Sequence, residues 1–318
     1  MMIAKKGFRT KVLLAPSSFG SVSKIPLQML RERDIEVISN GLGRTLNEQE
    51  LLSHLEGCNA VIAGTEAYNQ KILTESTNLK IISRLGVGID NIDLDIAKKE
   101  QIFVSWCSTS PSQAVAELVL SLFLNLSRSV VDMNNDLKSG IWKKTMGSLV
   151  SGKTVGVIGL GSIGKKFVEI TQGLKLNYLA YDLHKDKSFS EKNKVQYVSL
   201  KKLLEESDMI TIHVNSSIKN KNMIDLKKLR MMKKSPILIN TSRGDVIDEA
   251  SLKVALKEQM ISGLGLDVFK NEPFHPDKSF LSFNNVIFTP HIAAYAGEIR
   301  KEMEIEAVNN LLRNLDNE

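Results

Sequence analysis

Late in the sequence, three short apolar runs each lead into a residue able to do chemistry. "PILIN" is followed by Thr241, Ser242 and Arg243, "GLGLDVFKN" by Glu272, and "VIFTP" by His291. An arginine fork can grip a carboxylate and polarise the adjacent carbonyl. A histidine titrates near neutrality and can give or take a proton. A carboxylate beside the ring holds its orientation and favours the imidazolium, a role open to Glu272 toward His291. Singly, each has an ordinary reading: Arg243 as a surface charge, Glu272 as a turn residue before Pro273, His291 as a half-buried ring. Their shared position argues otherwise, because open parallel sheets bind ligands at the carboxyl ends of their strands. Asp267, where "ISGLGLDV" finishes, brings a further carboxylate to the same edge.

Upstream, "TVGVIGLGSIGKKF" sets Gly159, Gly161 and Gly164 in the G-x-G-x-x-G spacing, with Ser162 and Ile163 between the last two. That spacing alone is a weak signal. Here an apolar strand precedes it and an amphipathic helix follows, the context in which backbone N–H groups meet a pyrophosphate. The next strand, "LNYLAYD", ends in Asp182, which can accept from ribose hydroxyls and would repel a 2′-phosphate. NAD is therefore favoured over NADP, a preference softened by nearby His184 and Lys185. Hydride transfer at a carbonyl leaves charge growing on oxygen, so a proton must arrive with the hydride. Thr241 and His213, each at the end of a strand, are expected to touch the cofactor. His54, His184, His213 and His275 form no metal-ligand spacing, and no metal is expected.

These residues need a scaffold that presents strand ends. "KVLLAP", "NAVIAG", "LKIISRLG" and "QIFVSW" are apolar runs separated by polar segments of helical length. The rhythm resumes after Gly152, with runs at Thr154–Leu160, Leu176–Tyr181, Met209–Val214, Pro236–Asn240, Ile261–Val268 and Asn285–Thr289. Little alternation within them points to strands buried on both faces, hence two α/β domains with parallel sheets. Between them "CSTSPSQ" precedes a helix: Ser110 as cap, Pro111 in the first turn, Gln113 as capping-box partner. Ala114–Leu126 is apolar nearly all round, so it is expected to be buried between domains or subunits. The last stretch, "EIRKEMEIEAVNNLLRNL", must pack back on one of the domains.

The 318 residues allow two ordinary domains, and 42% hydrophobic with 25% charged residues reads as globular. Cys58 and Cys107 are too few for a disulfide scaffold; they read as buried filler in a reducing cytoplasm. The apolar run Val12–Ala15 is too short for a secretory signal, and the one from Ala114 is broken by Glu117, so neither export nor a membrane anchor is expected. The net charge of +6 sits in small groups such as Lys5-Lys6 and Lys165-Lys166, without interleaved aromatics. This pattern gives no footprint for nucleic acid and mildly favours small anionic ligands.

With these residues in view, the sequence resembles the D-isomer-specific 2-hydroxyacid dehydrogenase family over nearly its whole length. The likeness rests on "RLGVGIDNID" from Arg84, "AVAELVLSL" from Ala114, "GKTVGVIGLGSIG" from Gly152, "INTSRGDVIDEASL" from Ile239, "GLDVFKNEP" from Gly265 and "TPHIAAY" from Thr289. It implies His291 as acid/base, Glu272 as its partner, Arg243 on the substrate carboxylate, and Asp267 toward the nicotinamide. It further implies that the loop Leu85, Gly86, Val87, Gly88 offers backbone N–H groups to that carboxylate, with Arg84 suited to a second anionic group. The implied architecture is a Rossmann-type NAD domain (109–292) inserted into a flavodoxin-like substrate domain (1–108 and 293–318). Cleft closure would exclude water, the helix from Pro111 would help build a homodimer, and no regulatory domain would follow.

Within the family the sequence is most like the phosphoglycerate dehydrogenase branch, through "MGSLVSGKTVG" and Arg84. Against that branch, Glu66 stands where some phospho-acid oxidising relatives place an arginine, and Asn215 where the family commonly has proline. Hydroxypyruvate or glyoxylate reduction is the rival reading. A non-catalytic NAD-sensing binding protein of the same fold is the alternative in another class. A short-chain dehydrogenase would want Tyr-x-x-x-Lys; Tyr181/Lys185 and Tyr197/Lys201 have the spacing but fall too early in the chain.

Overall fold

The computed structural model describes residues 10–316; the Lys5-Lys6 pair and the start of the segment read for a signal lie outside them. The chain divides into two compact units, Met1–Ser110 with Tyr295–Glu318, and Pro111–Ala294.

The first unit holds β1 (Lys11–Leu14), β2 (Glu36–Ser39), β3 (Ala60–Ala63), β4 (Ile81–Arg84) and β5 (Phe103–Trp106). All pair in parallel in the order β2-β1-β3-β4-β5, the flavodoxin arrangement. β2 was not foreseen: "EVIS" sits at the sheet edge with no residue fully buried, so it lacks the apolar run that marks the central strands. The terminal helix Gly297–Leu315 returns to this unit and buries Met303, Ala307, Val308 and Leu311 over the sheet. Met303, Val308 and Leu311 each contribute about 2 kcal/mol by leaving water. Ser83 Oγ donates to the carbonyl of Ala307 at 2.7 Å, fixing the helix to β4. On the same helix Glu304 is fully buried, accepting from Arg300 Nε at 2.8 Å and from the N–H of Gly20 at 3.1 Å.

The second unit holds β6 (Thr154–Ile158), β7 (Asn177–Tyr181), β8 (Val195–Tyr197), β9 (Met209–Ile212), β10 (Ile237–Asn240), β11 (Gly263–Leu266) and β12 (Val286–Phe288). Their order, β12-β11-β10-β9-β6-β7-β8, is entirely parallel and reverses direction at β6, as in dinucleotide-binding folds. β8 is the second unforeseen strand, again short and at an edge.

The helix after "CSTSP" runs Ser112–Arg128, not from Pro111. Pro111 is its N-cap, because the carbonyl of Pro111 accepts the first helical bond from the Val115 N–H at 2.9 Å. Pro111 itself offers no side-chain cap, and Gln113 Nε2 donates to Glu117 Oε1 at 2.6 Å. Its buried side, with Ala116, Val119, Leu122 and Phe123, packs inside this unit on the helix Ser162–Ile170 and on β10 and β11. The opposite side leaves Leu124 exposed, so the expected all-round burial is not met within this chain. Among the described residues no single helix is long and apolar enough to cross a membrane. Both cysteines are free and buried, and burial pushes the Cys107 thiol up to about 11.

Candidate active site

Register decides where the chemistry converges. Tyr181, Ile158, Ile212, Asn240, Leu266 and Phe288 are successive partners across neighbouring strands and form one row at the carboxyl edge of the second sheet. One residue further along each strand lie Asp182, Gly159, His213, Thr241, Asp267 and Thr289. Strands stand about 4.8 Å apart, so residues spread over a hundred positions of sequence become neighbours.

The glycine loop leaves β6 in this row. Gly159 has φ +92°, and a Cβ there would lie 2.7 Å from the carbonyl oxygen of His213. A Cβ on Gly164 would meet the carbonyl oxygen of Gly159 at 2.4 Å, so the helix Ser162–Ile170 packs tightly over the turn. Gly161 caps that helix without a side chain, and space opens beside it where a Cβ would project. The backbone N–H groups of Ser162 and Ile163 at this start suit a pyrophosphate. Asp182 anchors the loop: Oδ2 accepts from the Leu160 N–H at 2.7 Å and Oδ1 from the His184 N–H at 2.8 Å. Thr241 Oγ1 is buried with no partner among the described residues, a polar group waiting for a donor or acceptor. The cradle therefore fits a dinucleotide.

His213, expected at the cofactor, turns its ring into the core instead. The imidazole lies 6.5 Å from the Phe167 ring, with Nε2 3.0 Å from Thr211 Oγ1, and burial lowers its pKa to about 3. What it presents to the glycine loop is its backbone.

Asp267 is wholly buried, and burial raises its pKa against the bonds it accepts. Oδ1 accepts from Thr289 Oγ1 at 2.6 Å and the Ile292 N–H at 2.8 Å, Oδ2 from the Ala293 N–H at 2.9 Å. These bonds pin the loop that carries His291, which adopts φ +54°. A left-handed non-glycine costs about 1 kcal/mol, and the three Asp267 bonds hold the loop there. His291 Nδ1 meets Glu272 Oε2 at 2.7 Å, while Glu272 Oε1 accepts from the Phe269 N–H at 3.0 Å. Both carboxylate oxygens are thus committed, one to the backbone and one to the ring.

After β10, Asn240 organises the turn. Its Nδ2 donates to the Arg243 carbonyl at 2.8 Å, and its Oδ1 accepts from the N–H and hydroxyl of Ser242. Arg243 Nη1 donates to the Ser242 carbonyl at 2.8 Å, which orients the guanidinium. Gly244 was not foreseen as part of the site. A Cβ on it would come within 1.9 Å of the Phe269 carbonyl carbon, so only glycine lets the Arg243 turn press on the Phe269–Lys270 peptide, adjacent to the Phe269 N–H that Glu272 accepts. Its sequence signal was its place directly after the arginine.

The Tyr-x-x-x-Lys pairs are not catalytic constellations: both tyrosines are on strands, and Tyr197 OH accepts from the Asp186 N–H at 3.0 Å. Lys165, beside the glycine loop, is paired with Asp186 at 2.6 Å.

In the first unit, β4 runs into the loop Leu85–Gly88. Arg84 is 9% exposed and donates from Nη1 to the Leu85 carbonyl; the guanidinium lies against Gly86, where a Cβ would be 2.7 Å from Nη1. Arg84 therefore sits beneath the loop. The Leu85 and Gly86 N–H groups donate to the carbonyls of Ala63 and Arg84, both at 2.9 Å.

A parallel sheet in dinucleotide-binding order, a glycine cradle, and a histidine–carboxylate pair on the same edge define a nicotinamide-dependent oxidoreductase. Residues 120–293 match the family described as D-isomer specific 2-hydroxyacid dehydrogenase, NAD binding domain. A glyoxylate reductase of Korarchaeum cryptofilum is 34% identical over 84% of this chain and 82% of its own. A D-3-phosphoglycerate dehydrogenase of Archaeoglobus fulgidus is also 34% identical, over 91% of this chain but 54% of that longer protein. Among solved structures, D-lactate dehydrogenase from Aquifex aeolicus, complexed with NAD and lactic acid, superposes with a TM-score of 0.81 at 26% identity, covering 97% of this chain and 96% of that one. The chain belongs to the D-isomer specific 2-hydroxyacid dehydrogenase family. It is an enzyme of that family, uses NAD, and acts on small 2-hydroxy or 2-keto acids.

Proposed function

We propose that His291, Glu272 and Arg243 carry out the interconversion of a D-2-hydroxy acid and its 2-keto acid. The observation that carries this reading is the Glu272 carboxylate held between the Phe269 N–H and His291 Nδ1. With Nδ1–H donating to Glu272, His291 Nε2 is the atom that protonates the substrate oxygen in reduction and deprotonates the hydroxyl in oxidation. Arg243 binds the carboxylate and polarises the carbonyl beside it. Bound nicotinamide supplies or accepts the hydride at C2. Gly159, Gly161, Ser162, Ile163 and Gly164 hold the pyrophosphate, and Asp182 favours NAD over NADP. Asp267 acts chiefly by fixing the histidine loop.

Pro111–Ala294 is on this reading the cofactor domain, and Leu85–Gly88 is the candidate substrate loop of the other unit. Leu85 and Gly86 already spend their N–H groups on the chain, so Val87 and Gly88 supply the donors to the carboxylate. The substrate is either a phosphorylated acid, as the phosphoglycerate dehydrogenase likeness suggests, or an unphosphorylated one, as the glyoxylate reductases suggest. The enzyme works as a homodimer in the cytoplasm, without nucleic acid or membrane.

Arg243→Ala is expected to lower kcat/KM by about 10²–10³-fold while leaving NAD affinity intact by calorimetry. Equal loss of NAD affinity would remove Arg243 from the substrate. His291→Ala is expected to lower kcat by about 10²–10⁴-fold with the fold retained. Near-normal turnover in a steady-state assay would reject the acid/base role.

A further inference from the structure

The carboxylate that faces His291 stands on an open loop. Lys270, Asn271, Glu272 and Pro273 are all exposed, so no surrounding core fixes Glu272. A loop of this kind keeps a side chain in place only through its two ends. Both ends here are phenylalanines. Phe269 and Phe274 stack with centroids 3.9 Å apart and planes 6° from parallel, closing the segment 269–274 on itself. The upstream end also supplies the N–H that Glu272 Oε1 accepts at 3.0 Å.

The closed segment is seated on the strand that leads to the histidine. Phe288, the last residue of β12, lies edge-on to both rings, 5.3 Å from Phe274 and 5.8 Å from Phe269. His291 follows it three residues later. Phe280, fully buried, meets Phe274 at 6.2 Å and Phe288 at 5.7 Å, and Lys253 Nζ lies 4.9 Å from its ring. Stacked and edge-on rings fix relative orientation as well as burying area. Leucine would fill the same space without a planar face to stack. One floor of rings therefore carries both members of the pair, and the 2.7 Å from His291 Nδ1 to Glu272 Oε2 is set across it.

We propose that Phe274 is a positioning residue for the reaction: by closing its loop on Phe269 and seating it on Phe288, it holds the Glu272 carboxylate against His291. The proposal rests on the functional reading above, in which that pair moves the proton. Every group it invokes lies within Pro111–Ala294. Phe274 acts through Glu272 alone, so its worth to turnover vanishes once the carboxylate is gone.

The test is a double-mutant cycle in the full chain: Phe274→Leu (F274L) and Phe274→Ala (F274A), each with and without Glu272→Ala (E272A). The readout is kcat for NADH-dependent reduction of whichever of glyoxylate, hydroxypyruvate, phosphohydroxypyruvate or pyruvate the wild type turns over fastest. F274L keeps most of the apolar volume, so a folded variant remains for the cycle if F274A opens the cluster. F274L is expected to lower kcat about tenfold and F274A about thirtyfold, with keto-acid KM and NADH affinity by calorimetry changed less than about twofold. E272A alone should lower kcat about a hundredfold. In the E272A background F274L should cost no more than about twofold, because no carboxylate is left to place. A purely structural role would cost the same factor in both backgrounds, and that result overturns the proposal. So does a folded F274L with wild-type kcat. Wild-type kcat in E272A, or turnover of none of the four acids, overturns the functional reading, and the proposal with it.

Discussion

At the scale of single residues, the histidines show how far burial separates side chains of one type. His291 stands on a pinned loop against Glu272, whereas His213, at the end of β9 on the same sheet edge, is sunk beside Phe167 with its pKa held at about 3. In the unfolded chain such a ring titrates near 6.5, so below that pH the unfolded state binds the extra proton. Stability from this group is therefore complete above pH 6.5 and falls as pH drops toward 3. Burial acts oppositely on Glu66, Asp267 and Glu304, whose raised values make acid favour the fold. The variant difference isolates one group. His213→Asn should change the wild-type-minus-variant stability by at most about 1.4 kcal/mol per pH unit between pH 6 and 4, read from urea midpoints. A difference independent of pH would mean that the ring is not held neutral by burial.

Elements place what residues supply. Two turns, one after β10 and one after β11, meet where Gly244 touches the Phe269 peptide, and Phe269 and Phe274 stack at 3.9 Å to stiffen the segment bearing Glu272. Gly244→Ala must push these turns apart. The expected results are a loss of about 1–3 kcal/mol in stability and about a hundredfold in kcat/KM, with NAD binding retained. Unaltered turnover in a folded variant would break the link between the Arg243 turn and Glu272. Elements were also where reading the chain fell short. The central strands β3, β4, β9 and β10 are buried on both faces and announce themselves as unbroken apolar runs. β2 and β8 lie at sheet edges, share half their surface with water, and carry no such signal.

At the scale of the whole molecule, an apolar segment is left uncovered by the described residues. The segment after the helix Val130–Lys138 exposes Ile141, Trp142, Met146 and Leu149, with Trp142 at 80% and Met146 at 96%. Several large apolar side chains exposed along one segment suit an association surface, in keeping with the proposed homodimer. Analytical ultracentrifugation should give about twice the 35.4 kDa chain mass, and Trp142→Lys with Met146→Lys should shift the protein toward monomer. A monomeric wild type at micromolar concentration would dismiss the homodimer.

The residue types, their order and the glycine spacing were already present in the one-dimensional chain, because a dinucleotide turn and an acid–base pair impose local demands that few residues satisfy. That is why Gly159, Asp182, Arg243, Glu272 and His291 could be singled out before any coordinates. Tertiary structure alone decided that His213 faces inward, that Asp267 spends its oxygens on the histidine loop, and that Arg84 lies under its loop. Those outcomes depend on strand register and on burial, which are set by contacts between segments far apart in sequence and leave no mark on either segment alone.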